Sequence, residues 1–151
     1  MSHSVQKPSA QKPLVMQGKA AIYKDVARDV MAVLDGEPDR IARMATCVSL
    51  LAQAFPAWFW TGFYIVDAHK KAQGIDELVV GPYMGTLGCL RIRFGRGVCG
   101  AAAAARTSQV VPDVHAFADH IACDSRSSSE IVVPVFDAAG ELVALSVAGL
   151  F

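Results

Sequence analysis

Charge is scarce in this 151-residue chain: only 19% of the residues are Asp, Glu, Lys or Arg, and 14 basic residues balance 14 acidic ones. With no net sign there is no general attraction to nucleic acid or to an anionic membrane, so any partner has to be recognised at a local site. No apolar run reaches the length of a membrane span. The polar, Pro-containing start MSHSVQKPSAQKPLVMQGK lacks the apolar core of a secretory signal. Residues 1–19 read as a flexible leader and 20–151 as a single domain. Cysteine is sparse too: Cys47, Cys89, Cys99 and Cys123 form no C-x-x-C pair and are too few for a disulfide-built secreted scaffold, so the expectation is cytoplasmic thiols.

What is abundant is apolar surface, 53% of the residues, enough at this length to bury a core without metal or disulfide staples. Ile22, Val26, Val30, Val33 and Leu34 recur at helical spacing and predict an amphipathic helix ending before Asp35-Gly36. A second helix is predicted from about Pro38 to Pro56, with Ile41, Met44, Val48, Leu51 and Phe55 on one stripe. Cys47 lies at the edge of that stripe and reads as a buried, inert thiol. From Ala57 the pattern turns to β: WFWTGFYIV, ELVVGPYMG and LRIRF are rich in aromatic and β-branched residues with turn residues between them. A short helix over 98–105 follows, then the strand candidates QVVPDV, EIVVPVF and ELVALSVAG, the last two joined through Asp137-Ala138-Ala139-Gly140 as a hairpin. Two leading helices, about six strands and one short inserted helix fit an α+β domain with a central, mostly antiparallel sheet.

Between a strand and a helix, Gly95-Arg96-Gly97-Val98-Cys99-Gly100 spells G-x-G-x-x-G. A dinucleotide fingerprint needs a buried parallel strand before it, a full helix after it and an acid about 20 residues on. Here Leu90, Ile92 and Phe94 alternate with Arg91 and Arg93, the pattern of a half-exposed strand. Asp119 stands near the right distance but in a loop-like stretch, and too little chain remains for a second nucleotide-binding half. The glycines read instead as a tight turn that lets the Ala101–Ala105 helix pack closely on the sheet.

The unusual chemistry lies between Cys89 and Glu130, where Cys89, Cys99, Cys123, His115 and His120 accompany DSRSSSE. As zinc ligands these residues lack the paired knuckle spacings of structural sites, and no metal is expected. As small residues the cysteines are at home in any core. As reactive thiols they need nearby positive charge or a helix N-terminus, with a second cysteine to resolve an oxidised first one. Cys123 has His120 and Arg126 close in sequence, and Cys99 sits at a helix start. His115 and His120 read as loop hydrogen-bonders rather than catalytic bases.

GRGVCG, QVVPDVH, HIACDS and SEIVVP, in this order and spacing, resemble the GAF-domain free methionine-(R)-sulfoxide reductases. Upstream, WTGFYI (60–65), VVGPYMG (79–85) and Cys89 fit the same pattern, so the resemblance runs roughly from Tyr23 to Leu145. It implies a six-stranded antiparallel sheet flanked by helices and a substrate that is free methionine sulfoxide rather than the protein-bound residue. It also implies no cofactor beyond an external thioredoxin-type dithiol, and a role in oxidative stress. Carried over by motif, Cys123 would attack the sulfoxide sulfur and become a sulfenic acid, and Cys89 would resolve it as a disulfide. Cys99 matches the third cysteine, as an auxiliary or alternative thiol. Glu130 would hydrogen-bond or protonate the sulfoxide oxygen, and Trp60 and Tyr64 would wall the methyl and sulfur end.

One departure stands out. Where such reductases read like G-V-L-D-I-D-S and continue into a closing helix, this chain has Ala144-Leu145-Ser146-Val147-Ala148-Gly149 and then Leu150-Phe151. That matching puts Ser146 and Ala148 at the two acidic positions and leaves the C-terminal helix missing. Apolar surface is then exposed unless a second chain, as in a homodimer, covers it. Two functions of different class follow: a reductase impaired by the loss of two acids, or a non-catalytic GAF-type small-molecule-binding or redox-sensing module that keeps its cysteine pair.

Overall fold

A computed structural model describes residues 18–119 and 126–150. Helices α1 (Lys19–Leu34) and α2 (Arg40–Ala54) lead into β1 (Trp60–Val66), a short α3 (Ala68–Ala72), β2 (Glu77–Gly85) and β3 (Arg91–Arg93). Then come α4 (Gly97–Ala105), β4 (Gln109–Val111), a 3-10 turn (Val114–Ala116), β5 (Ser129–Phe136) and β6 (Leu142–Leu150). The sheet order is β3-β2-β1-β6-β5-β4, and every neighbouring pair is antiparallel. The α+β expectation holds. None of these helices is long and apolar enough to cross a membrane.

One face of the sheet is covered by α2, whose Met44 and Val48 pack on Phe63 and Ala144, with Cys47, Ile65 and Val135 at the margin. Asp39 caps this helix by accepting a 2.8 Å bond from the Ala42 N–H. The start is therefore set by the aspartate rather than by Pro38. α1 packs on α2 as an outer layer, where Tyr23 meets Phe55 at 5.2 Å, and none of its residues is fully buried. Two members of the predicted apolar stripes, Val33 and Ile41, are exposed. Cys47 is a partly buried free thiol whose pKa burial raises, as an inert core thiol requires.

The other face holds the larger cluster, in which Trp60, Tyr64, Leu78, Ile92, Val132, Leu145 and Val147 meet Val98, Ala102 and Ala103 of α4. α4 lies close because its glycines allow it. A Cβ on Gly100 would stand 2.4 Å from the Arg93 carbonyl oxygen, while Gly95 and Gly97 take positive φ of 81° and 59°. The Gly95 N–H donates to the Gly100 carbonyl at 2.7 Å. G-x-G-x-x-G is thus a turn that seats a helix. β3 before it is exposed at Arg91 and Arg93 and buried at Ile92, as the alternation requires.

Boundaries moved where local chemistry intervened. QVVPDV forms strand only through Val111, because Pro112 has no N–H to give a ladder; Asp113 then starts the 3-10 turn by accepting from the His115 N–H at 2.9 Å. Pro134 is tolerated inside β5 because β4 pairs only with Glu130–Val132, so its missing donor falls beyond the end of that neighbour. The β5–β6 hairpin closes as expected, with Gly140 at φ 79° and the Asp137 side chain accepting from Ala139 and Glu141. α3 was not legible as a helix; Asp67 caps it and also holds Arg91 at 2.7 Å.

Candidate active site

Three central strands make the floor of one pocket. In a single row across the sheet, Trp60 stands opposite Gly149, and Gly149 opposite Glu130. Directly opposed residues share a face, so an aromatic ring and a carboxyl rise on either side of a bare glycine. Further along, Val147 lies between Gly62 and Val132. Phe59, Trp60, Tyr64 and Ile92 line the apolar side, Arg96, Cys99, Ser127 and Glu130 the polar side, and Thr86, Leu87 and Gly88 a third edge.

The aromatic wall is braced from the chain that connects β2 to β3. Trp60 and Tyr64 stack with centroids 5.9 Å apart and planes inclined by 16°, and Tyr83 stacks on Trp60 at 5.2 Å. Trp60 Nε1–H donates to the Thr86 carbonyl at 3.1 Å, and the Tyr64 hydroxyl donates to the Cys89 carbonyl at 2.9 Å. Between these anchors, a Cβ on Gly88 would lie 3.2 Å from Tyr64 Oη and 3.3 Å from the Trp60 ring, so only a glycine lets this connection lie so close.

Opposite the wall, the Cys99 thiol at the start of α4 donates to Glu130 Oε1 at 3.5 Å. Burial pushes the Glu130 carboxyl above the usual carboxylate range, while the bond from Cys99 pulls the other way. Burial, then the charge of Glu130 and the bond to it, hold the Cys99 thiol well above its ordinary value. Tyr64 is raised as well, chiefly by burial and next by Cys99 and Glu130. Both shifts favour the protonated form, of the carboxyl and of the thiol. Such a site can hydrogen-bond or protonate a polar oxygen, whereas Cys99 is a poor thiolate nucleophile.

Trp60, Tyr64, Cys99 and Glu130 all meet in this pocket, and Cys89 sits in its aromatic brace. Cys89 is disulfide-bonded, whereas Cys47 and Cys99 are free. Cys123 and His120 lie outside the described residues. The chain on either side of them is held at the pocket: Asp119, at φ 59°, accepts from Arg96 Nε at 2.6 Å, and Ser127 is a lining residue. His115 is exposed on the 3-10 turn and does not line the pocket. Among the described residues no three His, Cys, Asp or Glu side chains are grouped to hold a metal.

The pleat corrects one expectation. Ser146 and Ala148 stand opposite Phe63 and Thr61, and with Ala144 they belong to the face that α2 covers. The β6 residues that reach the pocket are Val147 and Gly149. Counting alternate positions back from Glu130 across the hairpin would have found them, as the chain stretch just before WTGFYI would have pointed to Phe59. Arg96 was hidden inside the glycine motif.

No protein-family model matches the sequence. The chain is 42% identical over 117 residues to free methionine-R-sulfoxide reductase of Escherichia coli strain K12, an overlap that covers 78% of this chain and 67% of that protein. It therefore spans about two thirds of the length of that relative. Among solved structures it is similar to free methionine-R-sulfoxide reductase from Neisseria meningitidis in complex with its substrate, with 45% identity, a TM-score of 0.81 and coverage of 90% of this chain and 77% of that one. A structure described as the GAF domain matches at 31% identity and a TM-score of 0.79, over 87% of this chain and 74% of that one.

Proposed function

Because this chain belongs to the GAF-domain free methionine-(R)-sulfoxide reductase family, we propose that it reduces a methyl sulfoxide of the free methionine-(R)-sulfoxide type to the thioether. The convergence of Trp60, Tyr64, Cys99 and Glu130 on one pocket beside the disulfide-bonded Cys89 carries the reading.

In the proposed cycle the methyl and sulfur lie against Trp60 and Tyr64, and the sulfoxide oxygen faces Glu130. The Cys123 thiolate attacks sulfur; the oxygen gains the Glu130 proton as its bond to the substrate sulfur breaks and ends on Cys123 as a sulfenic acid. The thioether leaves. The Cys89 thiol then attacks the Cys123 sulfur, the hydroxyl departs as water, and a Cys89–Cys123 disulfide remains. A thioredoxin-type dithiol restores both thiols, which places the work in a reducing compartment such as the cytoplasm. The disulfide at Cys89, with Cys47 and Cys99 free, supports Cys89 rather than Cys99 as the resolving thiol. Cys99 keeps an auxiliary part as the donor to Glu130.

Turnover of free methionine-(R)-sulfoxide with dithiothreitol or thioredoxin is the direct test, with Cys123→Ser inactive and Cys89→Ser limited to one turnover without added thiol. Absence of turnover of any methyl sulfoxide, with ligand binding retained, would instead support the small-molecule-binding module. The bare β6 wall at Val147 and Gly149 is the observation that favours this second reading.

A further inference from the structure

We infer that the Tyr64 hydroxyl is the positioning group of the resolving cysteine: it holds the backbone at Cys89 so that the thiol is presented to an oxidised Cys123, a task separate from the ring's place in the substrate wall. This role rests on the sulfoxide-reductase reading of the same site and adds to it at the second chemical step.

Cys89 lies in the irregular connection between β2 and β3. Two successive carbonyls of that connection are bonded from a single row of the sheet. Tyr64 of β1 stands opposite Val80 of β2; the Tyr64 hydroxyl donates to the Cys89 carbonyl at 2.9 Å, and the Val80 N–H donates to the Leu90 carbonyl at 3.0 Å. Each bond fixes one planar peptide unit, so the chain leaving Cys89 is held at two points in a row. The bond from Trp60 Nε1–H to the Thr86 carbonyl, at 3.1 Å, ties down the other end of the connection. A cysteine side chain has one torsion with three staggered wells, so fixing its backbone confines the sulfur to a few places. The donor is itself immobile: Tyr64 is 4% exposed and its ring stacks on Trp60. Burial, above all, raises its pKa, so it remains a phenol able to donate.

The step served is resolution. The Cys89 sulfur attacks the sulfur of the Cys123 sulfenic acid; the S–S bond forms as the S–O bond breaks, and the hydroxyl takes the thiol's proton and leaves as water. The Cys89 sulfur is oxidised and the Cys123 sulfur reduced. This is an encounter within one molecule, whose rate depends on how narrowly the attacking group is placed. Attack on the sulfoxide itself draws on Tyr64 as a ring, whereas resolution draws on its hydroxyl.

The test isolates resolution by competition. Reduced protein is oxidised with hydrogen peroxide in the presence of excess dimedone, so that the Cys123 sulfenic acid partitions between the dimedone adduct and the Cys89–Cys123 disulfide. Mass spectrometry gives the ratio of the two, which does not depend on how fast the sulfenic acid forms. Tyr64→Phe keeps the ring and removes the donor, and is expected to raise the ratio of adduct to disulfide about fivefold or more, the worth of one neutral hydrogen bond. Trp60→Phe, which removes the bond three residues away at Thr86, is expected to raise it less. An unchanged ratio in Tyr64→Phe overturns the inference, and so does an equal rise in Trp60→Phe, which would mean a general loosening of the wall. The same ratios are expected when free methionine-(R)-sulfoxide replaces peroxide. If no methyl sulfoxide oxidises Cys123, the reductase reading fails, and the peroxide ratios still decide the role of Tyr64.

Discussion

Glu130 is a carboxyl whose usefulness and whose cost have one origin. Burial raises its pKa in the folded protein, so between the ordinary carboxylate value and that raised value the native state holds a proton which the unfolded chain has released. Stability then falls as pH rises through that window. Glu130→Gln is expected to flatten this decline in thermal melts taken from about pH 4 upward, while lowering turnover by roughly 10²–10⁴-fold. A melt series with unchanged slope, or a fast variant, would sink the proton-donor role. Cys99 tunes the same group: its bond lowers the Glu130 pKa, so Cys99→Ala should move the alkaline limb of the kcat/KM profile to higher pH and leave the Cys89 disulfide able to form. An unmoved limb would mean that another group titrates there. These two residues, with Trp60 and Tyr64, were legible because each sits inside a motif that fixes its place. The β6 wall was misplaced by one residue because a motif string carries no record of which way the pleat faces, and a shift of one position exchanges the two faces of a strand.

At the scale of elements, the turn between β3 and α4 shows how far a glycine pattern can be read. The spacing alone suits a nucleotide cradle; the alternating strand before it excludes one, and the turn's own contacts say what each glycine is for. Gly100→Ala would drive a Cβ to 2.4 Å from a backbone carbonyl, which cannot rotate away as a side chain can. The expected cost is about 2 kcal/mol or more, read in denaturant melts. Gly88→Ala meets the Tyr64 hydroxyl and the Trp60 ring at 3.2–3.5 Å, where the neighbours give by a few tenths of an ångström. Its effect is expected in KM, with a smaller loss of stability than Gly100→Ala. The reverse order would show that the braced connection, not the turn, carries the fold. Strand limits were less legible than strand identity, since Pro112 and the Asp67 and Asp39 caps act through single hydrogen bonds that periodicity does not register.

For the whole molecule, the class of fold followed from composition and order, but the strand order did not. The sheet is assembled around β1 and β6, the first and last strands, and nothing local in either announces the other. That arrangement leaves the two halves of the α2 face unequally covered. α2 lies over β1 and β2, whereas Val110, Ile131, Val133 and Leu150 share the same face of β4, β5 and β6 by their register with Ser146, Ala148 and one another, and all four are exposed. Apolar side chains gathered on one sheet face favour association and dye binding. Replacing Ile131 by Lys and Val133 by Thr is therefore expected to lower both the binding of an apolar fluorescent dye and concentration-dependent association in light scattering. Because each side chain is 40% exposed, the double variant should keep its unfolding free energy within about 1 kcal/mol. Turnover should be unchanged, since the pocket lies on the opposite face. A loss of several kcal/mol would show instead that this face is covered in solution, with Ile131 and Val133 acting as core residues.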